Sequence, residues 1–171
     1  MNKERVAIFI DGSNLYHNLR RYKIQANFES LIQTLENRRE IVKIYYYTAL
    51  LHRDFDENKY NKHKKFLQYL AQIPKMNIVL CDLKKVISHD GSINFTIKGD
   101  DVYLATDLIS QAYENSYDIA IIVSGDEDFI PAIKVVQKRG KKVINAFFPK
   151  SSSYSLRMCC DGSINIKKAL L

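Results

Sequence analysis

The sequence lacks the features that mark a secreted, zinc-stabilised or membrane-spanning chain. Its three cysteines, Cys81, Cys159 and Cys160, have neither zinc-ligand spacing nor the even, patterned set of a disulfide framework. No apolar run approaches the roughly 20 residues that a membrane-crossing helix needs, and the opening MNKERVAIFI has no signal-peptide cleavage pattern. A reducing cytoplasm is the expected location. No stretch has the composition of a linker, so a single domain over 1–171 is expected. No G-x-G-x-x-G follows the first apolar strand, which disfavours a Rossmann dinucleotide enzyme. Acids are in the minority, 19 against 26 lysines and arginines, for a formal charge of +7. That excess favours an anionic partner, nucleic acid before a membrane surface.

Apolar residues make up 46% of the 171, enough to fill a sizeable core. Short β-branched or aromatic runs alternate with helical periodicity, the pattern of an α/β sheet with crossover helices. Strands are predicted over 5–10, 42–48, 77–81, 118–123 and 142–147, and helices over 14–21, 28–36, 56–72, 101–115 and 129–139. The stretch 83–97 differs, because two β-branched segments flank His89-Asp90-Gly91-Ser92, a turn composition that predicts a small inserted hairpin. After Ser151-Ser152-Ser153 a short helix is expected over 156–160. The pentapeptide Asp-Gly-Ser-Ile-Asn occurs twice, at 90–94 and 161–165, with flanks that do not match; it reads as a shared turn solution rather than a structural repeat.

The chemistry lies in where the acids fall. The first strand runs directly into Asp11-Gly12-Ser13-Asn14, and the strand ending at Val123 runs into Ser124-Gly125-Asp126-Glu127-Asp128. In a parallel sheet the loops that follow strands share the carboxyl edge, and sites form there where strand order reverses. A third group, Lys98-Gly99-Asp100-Asp101, opens the helix that leads into the later strand. Whether that helix begins at the same edge depends on where the hairpin segment carries the chain, and periodicity leaves both edges open. At about 100° per residue, Leu104, Ala105, Leu108, Ile109 and Ala112 form one apolar stripe. Asp101 lies near its middle, with Asp100 and Asp107 to the side. A carboxylate on a core-facing side needs a cap, a cation or a metal. Asp107 stands about 9 Å farther along the axis, too far to share an ion readily with Asp101.

Each acid has an ordinary alternative. Asp101 and Asp128 precede apolar helices as N-caps do, Pro131 suits the first turn after Asp128, and Asp11-Gly12 is a common turn. Turn chemistry alone, however, does not require acids at Asp11, Asp126 and Asp128 together. Clustered carboxylates raise one another's pKa unless a cation neutralises them, and Mg²⁺ or Mn²⁺ suits such an oxygen-rich site.

Three blocks, 8–15 (IFIDGSNL), 98–107 (KGDDVYLATD) and 123–131 (VSGDEDFIP), resemble the NYN domain family, most closely its LabA-like branch, which is related to PIN-domain nucleases. The tail is similar as well, with Leu156 and Asp161 at matching positions. The resemblance implies a PIN-like three-layer α/β/α sandwich around a central, mainly parallel sheet, and metal-dependent hydrolysis of RNA. It implies Asp11, Asp101, Asp126 and Asp128 as catalytic metal ligands, with Asn14 the polar residue after the first of them. Asp107 matches a recurrent acid. Position 100 is often apolar in LabA-like sequences and is Asp100 here, which leaves the choice between Asp100 and Asp101 open.

The expected function is therefore an Mg²⁺- or Mn²⁺-dependent ribonuclease. Asn14, Ser124 and Lys98 are candidate substrate contacts, and Asp100 and Asp107 are secondary candidates. Basic residues for substrate attraction are Arg20, Arg21, Lys23, Lys59, Lys62, Lys64, Lys65, Lys84 and Lys85, each of which also suits a solvated face. Tyr45-Tyr46-Tyr47 lies in a strand and reads as core packing at least as well as a stacking surface. A non-catalytic RNA-binding module is the alternative. A haloacid-dehalogenase-like phosphatase fits less well, because it needs a second acid two residues after its nucleophile and that position is Ser13. A homo-oligomer is compatible with the sequence, and no histidine has ligand spacing.

Overall fold

The computed structural model describes residues 3–170. Its elements in chain order are β1 (Arg5–Asp11), α1 (Gly12–Tyr22), α2 (Phe28–Glu36), β2 (Glu40–Thr48), α3 (Glu57–Ala71), β3 (Met76–Leu80), β4 (Asp82–Ile87), β5 (Ile93–Lys98), α4 (Asp100–Tyr113), β6 (Ile119–Val123), a 3₁₀ turn (Glu127–Phe129), α5 (Ile130–Lys138), β7 (Lys142–Phe147), α6 (Tyr154–Cys159) and β8 (Gly162–Asn165). Six strands form one sheet in the order β3-β2-β1-β6-β7-β8, with every neighbouring pair parallel.

Alternation along the buried strands splits the core between the two faces of the sheet. Val6, Ile8 and Ile10 of β1 join Leu15 of α1, Leu31 and Leu35 of α2, and Leu67 and Leu70 of α3. Ala7 and Phe9 point the other way, against Leu104 and Leu108 of α4, Ile133 and Val136 of α5, and Leu156 of α6. The result is the expected three-layer α/β/α arrangement. The tyrosine triplet follows the same alternation: Tyr46 packs on the first face, Tyr45 and Tyr47 on the second, and all are buried. These rings are core, not an exposed platform.

Strand order runs outward from β1 in one direction and from β6 in the other. The crevice outside the carboxyl ends of β1 and β6 is therefore the topological switch point, where ligands of open α/β sheets bind. The hairpin settles where α4 begins. β3 ends at the carboxyl edge, and Asp82, two residues later, pairs with Lys98 in the antiparallel β4–β5 ribbon. The ribbon thus leaves and returns at one place, and α4 starts at the same edge as the ends of β1 and β6.

Several element boundaries differ from the sequence reading, for local reasons. α1 starts at Gly12 because Asp11 caps it, its side chain accepting from the Asn14 amide. Asp126, not Asp128, is a cap: it accepts from the Asp128 amide and opens the 3₁₀ turn that delays α5 to Ile130. Gly99 at φ 84° is the α4 N-cap and gives no side-chain hydrogen bond, so Asp101 is not capping its helix. The second Asp-Gly-Ser-Ile-Asn is not a turn. Gly162–Asn165 is edge strand β8, paired with β7, whereas Asp90-Gly91 of the first copy turns the hairpin with Gly91 at φ 80°. Among the described residues no helix is long and apolar enough to cross a membrane.

Candidate functional site

Asp11 ends β1 and is buried, yet both of its carboxylate oxygens have donors. The Asn14 amide donates to Oδ1 at 3.0 Å and the Ser124 hydroxyl to Oδ2 at 2.9 Å, across the gap between β1 and β6. Ser124 Oγ in turn accepts from the Asp126 amide at 3.2 Å. Asn14 accepts at its Oδ1 from the Gly125 amide, 3.2 Å, and from Asn18 Nδ2, 3.1 Å, so α1 is tied to the loop after β6. Two glycines make this approach possible. A Cβ on Gly12 would run into the Tyr47 carbonyl oxygen, and one on Gly125 into that of Ser151.

The loop after β6 is fixed from behind. Asn145, fully buried in β7, donates from Nδ2 to the carbonyls of Ile122 at 3.2 Å and Ser124 at 2.8 Å. The Ser153 amide donates to the Gly125 carbonyl at 3.1 Å, and the Ser151 hydroxyl hydrogen-bonds Asn18 Oδ1. Asn18, Asn145 and Ser151 were not found from sequence. The available signal was a polar side chain in an otherwise apolar strand for Asn145, and the i, i+4 spacing from Asn14 for Asn18.

Electrostatics link the acids of the three segments. Burial pushes the Asp11 carboxyl above its ordinary value, the Asn14 and Ser124 donors oppose that shift, and Asp100 and Asp126 add to it. Burial also pushes Asp101 up, to about 6, helped by Asp100, Asp11, Asp126 and Asp128 in that order. Among the described residues no lysine or arginine forms an ion pair with any of these five acids. Asp11, Asp100, Asp101 and Asp126 share one broad open cleft, in which Asn14 also lies. Its walls carry Arg20, Arg21 and Lys23 from the end of α1 and its following turn, and Lys59 and Lys62 from α3.

The remaining candidates are spread around this centre. Asp128 is exposed and raises the Asp101 carboxyl less than Asp100, Asp11 or Asp126 does. Lys98 is exposed at the root of the hairpin. Ser124 is buried behind Asp11, where its hydroxyl holds the carboxylate. Asp107 is committed elsewhere, accepting a 2.8 Å hydrogen bond from the buried Tyr47 hydroxyl. The donor set at the cleft, carboxylate oxygens without a cation, fits a hard divalent ion. Among the described residues, however, no three of the acids, histidines or cysteines stand close enough together to hold one as they are. The arrangement gathers charge at one edge without a closed ligand cage.

A family model described as the NYN domain matches residues 5–167. A comparison with curated proteins gives no match. Among solved structures, a crystal structure of a protein of unknown function from Vibrio parahaemolyticus RIMD 2210633 is similar, with a TM-score of 0.78 and 28% identity. The match covers 99% of this chain and 97% of that one.

Proposed function

The chain belongs to the NYN domain family, and from that premise we propose that it is a metal-dependent ribonuclease using Mg²⁺ or Mn²⁺ at the switch point. Within the family we read the blocks at 8–15, 98–107 and 123–131 as LabA-like. The observation that carries the proposal is the convergence of Asp11, Asp101 and Asp126, from three separate segments, on one cleft in which, among the described residues, none of the three has an ion-pair partner. Carboxylates so placed penalise the folded state while they are ionised. A bound divalent cation removes that penalty, polarises a phosphate and lowers the pKa of a water.

Asp11, Asp101 and Asp126 are the residues to hold the ion, with Asp100 and Asp128 in reserve. Asp11 is oriented before any ligand arrives, because both oxygens already accept hydrogen bonds. The Asn14 side-chain oxygen Oδ1 accepts from the Gly125 amide and Asn18 Nδ2, which leaves Nδ2 of Asn14 to donate to a phosphate oxygen or water in the cleft. Arg20, Arg21, Lys23, Lys59 and Lys62 supply the field that draws the phosphate backbone in, so binding should fall steeply with salt.

One observation favours a second reading, an RNA-binding module without turnover: no three ligands are assembled around one point among the described residues. A single assay separates the two. Single-stranded and structured RNA is incubated with Mn²⁺ or EDTA, beside Asp126→Asn, an isostere that can still accept from the Asp128 amide. Cleavage that needs Mn²⁺ and Asp126 supports the nuclease. Cleavage indifferent to both overturns it, and binding without cleavage leaves the second reading.

A further inference from the structure

The β4–β5 hairpin carries aromatic surface that the acid site does not use. Phe95 of β5 lines the same cleft as the acids, and the Phe55 ring lies against it with centroids 4.3 Å apart and planes tilted by 59°. Phe55 comes from the loop before α3 and is 46% exposed. Asp56 follows it immediately and caps α3, accepting from the Lys59 amide at 2.9 Å, so the ring is held by a helix terminus. The Phe55 amide also donates to the His52 carbonyl at 3.1 Å, closing a turn, and the His52 ring lies 6.5 Å from that of Phe95. Lys85 is the cross-strand partner of Phe95 and therefore shares its face of the ribbon.

We infer that Phe55 and Phe95, with Lys85 on the same face of the ribbon and Lys62 in the wall of the same cleft, form a stacking subsite for an unpaired nucleobase. The protein would then select single-stranded or looped RNA over duplex. This inference deepens the nuclease reading and rests on it for the substrate class. Two features favour a nucleobase over a protein segment. The rings adjoin a cleft whose walls are lined by lysine and arginine, and bases present π faces to aromatic side chains only when they are free of a duplex. From Phe95 to the hairpin root at Lys98 is three residues, about 10 Å of extended chain. The subsite thus lies beside the acid centre rather than in it.

Affinity is measured in EDTA, where the proposed chemistry is silent, for a single-stranded RNA of about 12 nucleotides and a blunt duplex of the same sequence. Phe95→Leu should weaken single-strand binding about tenfold, Phe95→Tyr should stay near the parent, and duplex binding should not change. Phe55→Leu, at an exposed position, repeats the test without risk to the fold. A 5-iodouridine strand should photocrosslink to Phe55 or Phe95. Absence of RNA binding, equal losses for both RNAs, or no loss overturns the inference. A change of oligomeric state with RNA binding intact also overturns it and assigns the rings to a protein contact. If single-strand binding depends on Phe95 but Mn²⁺ brings no cleavage, the subsite stands and the nuclease reading falls. Cleavage that is indifferent to both rings has the opposite meaning.

Discussion

The two edges of the central sheet treat the same side chain in opposite ways. At the amino edge Asp118, just before β6, accepts from the Arg5 guanidinium at 2.8 Å, with Lys141 at 3.9 Å, and its carboxyl is held below the ordinary value chiefly by the Arg5 hydrogen bond. At the carboxyl edge Asp11 and Asp101 have no ion-pair partner among the described residues, and burial drives both upward. The strands that separate the two edges are only five residues long in β6 and seven in β1. The difference teaches how each edge is built: one is closed with internal charge pairs, whereas the other leaves its carboxylates without them, as the proposed function requires.

Exchange of aspartate for asparagine at each edge should break the contrast most visibly. Asp126→Asn should lower Mn²⁺-dependent RNA cleavage at least about 100-fold, whereas Asp118→Asn should leave it unchanged, as read in the same gel assay. Next in size is Ser124→Ala, which leaves a buried carboxylate short of one donor. Urea unfolding in chelator should show a loss of about 1–3 kcal/mol.

The third effect is a pH dependence of opposite sign at the two edges. A raised acid costs nothing while it is protonated in both folded and unfolded chains. The penalty then grows from the ordinary value of 3.8 until the Asp101 carboxyl ionises at about 6. Metal-free protein should therefore lose melting temperature through this acid as pH rises across that window, and Asp101→Asn should flatten the slope. Asp118 has the reverse sign: its contribution is present above its unfolded pKa and disappears as pH falls through the lower folded one. Smallest of all is the stability change for Asp118→Asn near neutrality. The pair is solvent-accessible, so it should cost no more than about 1 kcal/mol in the same unfolding assay.

The centre of the sheet was legible in the sequence because β1, β2, β6 and β7 carry buried residues on both faces and read as continuous β-branched or aromatic runs. The acids at strand ends were legible for the same reason, since an apolar run that stops at Ile10 or Val123 fixes where the next residues emerge. Helical phase also ranked the acids of α4: Asp101, near the middle of the apolar stripe, is the one with burial as the main cause of its shift, while Asp107 turns to Tyr47. What was hidden depends on contacts between distant segments. Ser124 reads as a turn serine until β6 is set beside β1, and only then does its hydroxyl meet Asp11. β8 was hidden because its sequence is the same pentapeptide that turns the hairpin. The distinction comes from Asp161, which accepts from the Val143 amide at 2.8 Å and so docks the segment onto β7, whereas Asp90 accepts only from nearby Ser92.

The Asp82–Lys98 pairing makes the ribbon between them a closed detour. Residues can be added to it, removed or exchanged without altering where the chain re-enters, and hence without moving Asp100 or Asp101. Under the proposed function, base recognition and chemistry, though neighbours in the cleft, would then be separable in sequence.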